Sequence, residues 1–236
     1  MGMAKRTVSI PDKPLVVGSV VSLNQLACLQ PIELPQQCDL LEIRLDGMAG
    51  HDDALMMELE RFKEFPLLFT ARAANEGGLQ AMSSEDRGKL LLSVAEYASW
   101  IDVELASYKK MGEVIQEIRS QEVGLILSYH NFEETPEEFQ LQRTVDLSGE
   151  ADIVKIAVRH HGVEDFARCA SLLKRNVHPM SLMGMGKLGA VSRLLYAQYG
   201  SVLNYGYLGD EPTAPGQWPA KTLKEAIDKL DPIVRV

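Results

Sequence analysis

The stretch Asp152-Ile153-Val154-Lys155-Ile156-Ala157-Val158 decides the fold class of this chain. Such an apolar run is typical of a parallel strand that is packed on both faces. Lys155 lies in its middle, where burial disfavours the charged ammonium form. A neutral lysine can attack a carbonyl carbon and form a Schiff base, so Lys155 is the first candidate for a catalytic residue. The alternative is a lysine whose ammonium group extends from the strand end into solvent.

Short apolar runs alternate with longer amphipathic runs on both sides of this stretch. The predicted strands are 15–21, 40–45, 67–71, 100–105, 124–129, 153–158, 179–183 and 202–205. The predicted helices include 54–65, 84–98, 111–121, 135–147, 163–175 and 188–199. Strands and helices in this order, joined by right-handed crossovers, predict an α/β fold: a single-domain (β/α)8 TIM barrel over residues 1–236. The active site of such a barrel lies at the C-terminal ends of its strands.

A doubly wound open sheet is the competing architecture. No Gly-x-Gly-x-x-Gly motif follows the first predicted strand and no P-loop is present, which argues against that sheet. Near the N-terminus, Thr7-Val8-Ser9-Ile10 alternates between polar and apolar residues. Residues 1–14 therefore contain a candidate extra strand that would cover the bottom of the barrel.

The composition is that of a folded, acidic protein, with 46% hydrophobic and 24% charged residues. The net charge of −9 repels phosphate backbones, so nucleic acid is not an expected partner. No apolar run approaches the length of a membrane span, and no secretory signal follows Lys5 and Arg6. Three cysteines do not suit a disulfide framework, so we expect a cytoplasmic protein. The oligomeric state stays open, with a homodimer as one alternative.

Polar residues late in the predicted strands mark the candidate site. Glu42, Arg44 and Asp46 share one face of the second strand, while Leu41, Ile43 and Leu45 share the other. The apolar face must pack against helices, so the charged face points into the barrel and needs partners there. The same parity groups Thr70 with Arg72, Asp102 with Glu104, and Ser128 with His130. We expect functional roles for Glu42, Arg72 and His130, and mainly structural roles for Asp46, Asp102 and Glu104.

His130 ends the strand that precedes the Lys155 strand, so a barrel places the two residues side by side. A Schiff base acidifies the protons next to the captured carbonyl carbon, and an imidazole suits their removal. We therefore interpret Lys155 as an imine-forming lysine and His130 as a general base. No spacing of histidines and carboxylates predicts a metal site.

Arg193 lies in the first turns of the helix that follows the glycine-rich stretch Met183-Gly184-Met185-Gly186. An acidic protein that binds an anionic substrate needs a local positive charge. Arginine supplies one and can bind a planar carboxylate with two hydrogen bonds. Gly184 and Gly186 are also compatible with a phosphate site, and this stretch alone does not decide between the two anions. After the last predicted strand, Thr213-Ala214-Pro215-Gly216-Gln217 forms a polar loop that is a candidate lid.

Seven segments in order resemble the type I 3-dehydroquinate dehydratase family, from about Leu15 to Gln217. They are Glu42-Ile43-Arg44-Leu45-Asp46; Thr70-Ala71-Arg72 with Glu76-Gly77-Gly78; Asp102-Val103-Glu104-Leu105; Ser128-Tyr129-His130-Asn131-Phe132 with Thr135-Pro136; Asp152-Ile153-Val154-Lys155; Met183-Gly184 with Ser192-Arg193; and Ala214-Pro215-Gly216-Gln217. Two positions depart from the family pattern: Ile43 stands where an aromatic residue is common, and Thr213 where serine is frequent.

The resemblance implies a lyase that converts 3-dehydroquinate to 3-dehydroshikimate by syn elimination, without a metal or organic cofactor. This reaction belongs to the shikimate pathway, which serves aromatic amino-acid biosynthesis. Lys155 would form the imine, His130 would be the general base and Glu76 would orient its ring. The substrate-binding set would be Glu42, Arg44, Arg72, Arg193, Thr213, Gln217, Met183 and Phe132. In the first strand, either Gly18 or Ser19 would reach the substrate.

Two other functions compete with this one. A transaldolase-like Schiff-base aldolase also uses a strand lysine in a barrel, but favours phosphorylated sugars. A catalytically silent relative would sense quinate-like ligands; silent relatives usually lose the lysine or the histidine, whereas Lys155, His130 and Arg193 are all present.

Overall fold

A computed structural model describes residues 10–212 and 216–230 and contains eight parallel strands in one barrel. The strands are β1 (Leu15–Val20), β2 (Leu40–Arg44), β3 (Leu67–Thr70), β4 (Trp100–Glu104), β5 (Gly124–Asn131), β6 (Ile153–Arg159), β7 (Met180–Met185) and β8 (Leu203–Tyr207). From β1 to β7 each strand pairs with the next one along the chain, and β1 also pairs with β8. A bridge between Met180 and Ser201 joins the two free ends, so the predicted (β/α)8 barrel is confirmed.

Helices follow the strands around the outside of the barrel. They are α1 (Leu23–Cys28), α2 (Leu34–Gln37), α3 (Asp52–Phe62), α4 (Ser84–Ser93), α5 (Leu105–Tyr108), α6 (Gly112–Arg119), α7 (Glu138–Leu147), α8 (Val163–Arg175), α9 (Gly189–Gln198) and α10 (Ala220–Asp228). The prediction for 163–175 has the same bounds as α8. The predicted helix 84–98 is divided, because α4 ends at Ser93 and a short 3-10 helix covers Ala95–Tyr97.

The extra strand expected within residues 1–14 is not seen in the described part of that segment. Residues 1–9 lie outside the described residues, and residues 10–14 form no strand. Within the described ranges, no helix is both long and apolar enough to cross a membrane.

Side chains alternate between the barrel interior and the helices as the strand parity predicts. In β6, Val154 and Ile156 pack outward in a helix-facing core, whereas Ile153 and Ala157 belong to the interior cluster. Lys155 lies between these last two on the same face and is 4% exposed. The lower interior is apolar, with Leu40, Leu68, Trp100, Ile126 and Leu203 among its members. Polar side chains are therefore confined to the upper part, at the C-terminal ends of the strands.

Gly206 allows α10 to pack directly against β8. A Cβ atom at this position would lie 2.5 Å from the Cα of Ala220 and 2.8 Å from its backbone nitrogen. Both atoms are backbone, so a side chain here moves the whole start of α10 rather than one flexible group.

We predict that Gly206→Ala lowers the free energy of unfolding by about 1–3 kcal/mol, because overpacking forces α10 from the barrel. Gly112→Ala at the start of α6 is the matched control, since a Cβ there meets nothing within 4 Å. Denaturant unfolding of both variants measures the difference. Equal stability of the two variants would contradict this packing.

Candidate active site

A cavity at the C-terminal ends of the strands collects the polar interior residues. It is lined by Ser19, Glu42, Arg44, Arg72, Glu76, Gly77, His130, Phe132, Lys155, Ala157, Met183, Met185, Arg193, Tyr205 and Gln217. Every site residue expected from the sequence is among them except Thr213, which lies outside the described residues. Sequence reasoning missed Gly77, Ala157, Met185 and Tyr205, although the strand parity of Met183 and Leu203 already places Met185 and Tyr205 inside the barrel.

Lys155 is held inside the cavity by a carboxylate and an aromatic ring. Its Nζ donates to Oδ2 of Asp102 at 2.8 Å and lies 3.8 Å from Oε1 of Glu42. The centre of the Tyr205 ring is 3.9 Å from the same nitrogen, a cation–π contact. Lys155 therefore does not extend into solvent, and it is paired with Asp102 rather than isolated among apolar side chains.

Asp102 connects Lys155 to a second cation. Its Oδ2 also accepts from Arg72 Nη2 at 2.8 Å, and its Oδ1 accepts from Ser128 Oγ at 2.6 Å. Burial alone would raise the pKa of Asp102, but the Arg72 guanidinium and the Lys155 ammonium outweigh it and hold that pKa well below its usual range. Asp102 thus remains ionised beside Lys155, and its role extends beyond the structural one expected from the sequence.

Arg72 is held in place by hydrogen bonds to further buried polar side chains. Its Nη1 donates to Ser128 Oγ at 2.6 Å and to Glu104 Oε1 at 3.2 Å. Glu104 also accepts from Arg87 Nη1 at 2.5 Å and from the backbone N–H of Ala73 at 2.8 Å. Glu104 therefore braces β4 against the chain that follows β3, as expected from the sequence.

Glu42 uses both carboxylate oxygens within the barrel. One oxygen accepts from Ser19 Oγ at 2.5 Å, and the other accepts from Thr70 Oγ1 at 2.8 Å. Ser19 is thereby the residue of β1 that faces the cavity. Gly18 faces outward, where a Cβ would meet Leu208 and Cys38.

Arg44 is oriented by Asp46. Its Nε and Nη2 donate to the two oxygens of Asp46 at 2.8 Å and 2.6 Å, and Nη2 also donates to the Gly77 carbonyl at 3.0 Å. Burial tends to raise the pKa of Asp46, but the hydrogen bonds and the charge of Arg44 outweigh burial, so the pKa lies below its usual value. Asp46 also accepts from the backbone N–H groups of Arg72 and Leu79, so it positions the loop after β3 as well.

His130 is oriented by Glu76. One oxygen of Glu76, Oε2, lies 3.0 Å from His130 Nδ1 and accepts from the His130 backbone N–H at 3.1 Å. Burial, followed by the nearby Arg72 and Lys155 charges, lowers the pKa of His130 well below its usual value. The imidazole is therefore neutral at neutral pH, and with Nδ1–H assigned toward Glu76 its Nε2 carries the free lone pair. Burial also raises the pKa of Glu76 to about 7, although Arg72 partly opposes this.

Arg193 is a buried cation that contacts no carboxylate among the described residues. Its Nη1 donates to the carbonyl oxygens of Gly184, Gly189 and Gly216 at 3.1, 3.1 and 3.0 Å. Its Nε is buried and has no partner in the described part of the chain. Burial lowers the pKa of Arg193 to about 10, which still leaves it charged at neutral pH. A buried, uncompensated guanidinium facing a cavity is suited to an anionic ligand.

Within β7, the backbone N–H of Gly184 is not free to bind a phosphate. The Gly184 N–H, which a phosphate site would use, donates to Ser192 Oγ at 3.0 Å. The Gly184 carbonyl points to Arg193 instead. Within the described ranges, no group of three His, Cys, Asp or Glu side chains is placed to hold a metal ion.

Comparisons of the chain with known proteins agree with the geometry. A family model described as type I 3-dehydroquinase matches residues 19–232. A 3-dehydroquinate dehydratase from Thermococcus onnurineus is 36% identical over 217 residues, covering 91% of this chain and 97% of that protein. A protein of the same name from Methanothermobacter thermautotrophicus is 35% identical over 195 residues, covering 82% of this chain and 86% of that protein.

Solved structures show the same barrel. The 3-dehydroquinate dehydratase from Aquifex aeolicus is 27% identical with a TM-score of 0.77, covering 91% of this chain and 98% of that one. The one from Geobacillus kaustophilus is 25% identical with a TM-score of 0.79, covering 92% and 91%. The resemblance inferred from the seven segments is confirmed, and the chain belongs to the type I 3-dehydroquinase family.

Proposed function

We propose that this chain removes water from 3-dehydroquinate to give 3-dehydroshikimate, by syn elimination through a Schiff base on Lys155. Its family membership supports the overall reaction. The observation that carries the mechanism is the placement of a buried lysine and a neutral histidine on neighbouring strands of one cavity. We also propose that the whole chain acts as one barrel domain.

In the first step, Nζ of Lys155 passes one proton to Nε2 of His130 and attacks the ring ketone, and the carbonyl oxygen then takes that proton from His130 and a second one from Nζ. The carbonyl oxygen then departs as water and a C=N bond replaces the C=O bond. The protonated imine carries its positive charge where the ammonium was, beside Asp102 and the Tyr205 ring. Because Asp102 stays ionised, it stabilises this cation without removing its proton.

In the second step, Nε2 of His130 takes a proton from the carbon next to the imine. The C–H electron pair moves into the imine, which becomes an enamine. The enamine then expels the hydroxyl from the next carbon, and the His130 imidazolium returns its proton to that oxygen so that it leaves as water. Because His130 both removes the proton and protonates the leaving hydroxyl, the two groups leave from the same face of the ring, which is a syn elimination. Hydrolysis of the imine releases the product and restores Lys155.

The remaining groups position the substrate. Arg193 would bind its carboxylate, Glu42 and Arg44 would hold ring hydroxyls, and Arg72 would act through Asp102. Gln217 and Thr213 would cover the ring from the loop after β8. The Gly216 carbonyl accepts from Arg193, which ties this loop to the proposed carboxylate site. Met183 and Phe132 would supply apolar walls, and Phe132 stacks near His130 with ring centres 6.3 Å apart.

The structure disfavours the competing functions. A sugar-phosphate aldolase needs a phosphate site, and of the two glycines considered for one, Gly184 already donates its N–H to Ser192. A silent sensor has no need of a buried lysine beside a neutral imidazole. We also propose a cytoplasmic location, supported by three cysteines without a disulfide. A homodimer stays a prediction.

We predict that the purified chain converts 3-dehydroquinate to a product with the absorbance of a conjugated enone. Lys155→Met should abolish turnover, because Lys155 is the only lysine among the described residues that line the cavity. Lys89→Met is the control, since Lys89 is a surface residue paired with Glu85. Continuous absorbance measurement gives both rates. A wild-type chain without turnover would contradict the reaction, and an active Lys155→Met variant would contradict the mechanism.

We predict that Arg193→Lys lowers kcat/KM by roughly 30- to 1,000-fold, on the order of 2–4 kcal/mol, because lysine keeps the charge but loses the planar fork. Arg119→Lys is the control, because Arg119 pairs with Asp152 away from the cavity. Steady-state kinetics with 3-dehydroquinate measures both. If Arg193→Lys retained the wild-type kcat/KM, the carboxylate would have to bind elsewhere.

A further inference from the structure

Tyr205 in β8 has a hydroxyl group that the fold leaves without a partner. The residue is 3% exposed and its ring belongs to the interior cluster. Its hydroxyl is buried and makes no hydrogen bond with any described residue. An unpaired buried hydroxyl lowers stability, and phenylalanine would fill the same space without that cost. Folding alone therefore does not account for a tyrosine at this position.

The ring of Tyr205 lies beside the lysine of the proposed mechanism. Nζ of Lys155 lies 3.9 Å from the ring centre, and Tyr205 itself lines the cavity. The phenol oxygen is attached to that ring, so it is only a few ångströms from the nitrogen that attacks the substrate. Burial, and then the negative charges of Glu42 and Asp102, raise the pKa of Tyr205 well above its usual value. The phenol therefore keeps its proton and acts as a hydrogen-bond donor.

We propose that the Tyr205 hydroxyl donates a hydrogen bond to the oxygen on the substrate carbon that Lys155 attacks. This inference rests on the proposed Schiff-base function. That oxygen is only two bonds from Nζ during the attack, and Nζ itself lies 3.9 Å from the centre of the ring that carries the hydroxyl. It gains negative charge as the C–N bond forms, and a donor already fixed in a buried site stabilises that charge. The phenol keeps its proton throughout, and the oxygen leaves as water.

The ring and the hydroxyl of Tyr205 are separable. A phenylalanine keeps the apolar wall and the cation–π contact with Lys155, so Tyr205→Phe tests the hydroxyl alone. Tyr196→Phe is the matched control, because the Tyr196 hydroxyl is buried but paired, with His160 Nε2 at 2.8 Å and the Phe166 carbonyl at 3.1 Å.

The experiment measures kcat/KM with 3-dehydroquinate and the melting temperature without ligand. Tyr205→Phe should lower kcat/KM about tenfold or more, while its melting temperature equals or exceeds that of the wild type. Tyr196→Phe should show the opposite pattern, with a lower melting temperature and nearly unchanged kcat/KM. If Tyr205→Phe stayed within twofold of the wild-type kcat/KM, the inference would be wrong.

A loss of activity that accompanies a clear loss of melting temperature would also overturn it, because the hydroxyl would then have a structural role. Wild-type turnover is measured in the same series. Its absence would refute the proposed function itself, whereas a normal wild type with a normal Tyr205→Phe variant refutes only the role of the hydroxyl.

Discussion

The pairing of the Asp102 carboxylate with Lys155 and Arg72 holds the site together. The carboxylate accepts from Lys155, Arg72 and Ser128 in a region closed to solvent. Two buried cations would be very costly without such a partner. By pairing with both, Asp102 makes it feasible to keep a lysine in an apolar barrel and to hold it at one position. The same negative charge matches the protonated imine that Lys155 is proposed to form.

The buried polar groups fall into two kinds. Glu42, Asp46 and Glu104 have their oxygens satisfied by neighbouring side chains and backbone, and they make the barrel mouth rigid. Among the described residues that line the cavity, Arg193 and Tyr205 instead retain buried atoms without a partner. Leaving polar capacity unused lowers stability, and sites that bind ligands are where proteins tolerate this cost. These two groups match the proposed ligand, which has a carboxylate for Arg193 and an oxygen for Tyr205.

Periodicity predicted the strands and parity predicted which residues face inward, because both depend only on local geometry. The partner of Lys155 could not be predicted from the sequence. Strand register pairs Lys155 with Ser128 and Ser128 with Glu104, yet Lys155 contacts Asp102, since strands in a closed barrel are tilted. The choice of Ser19 over Gly18 likewise required the outward packing of Leu208 and Cys38 to be known. The unpaired state of the Tyr205 hydroxyl is a property of the whole cavity and has no sequence signal.

We propose that Lys155 is a nucleophile that Asp102 holds in position for attack. Borohydride reduction in the presence of 3-dehydroquinate, followed by peptide mass analysis, tests it most directly, with reduction in the absence of ligand as the reference. We expect a stable adduct on the peptide that contains Lys155, and no adduct without ligand. An unmodified Lys155 in a protein that turns over the substrate would contradict it.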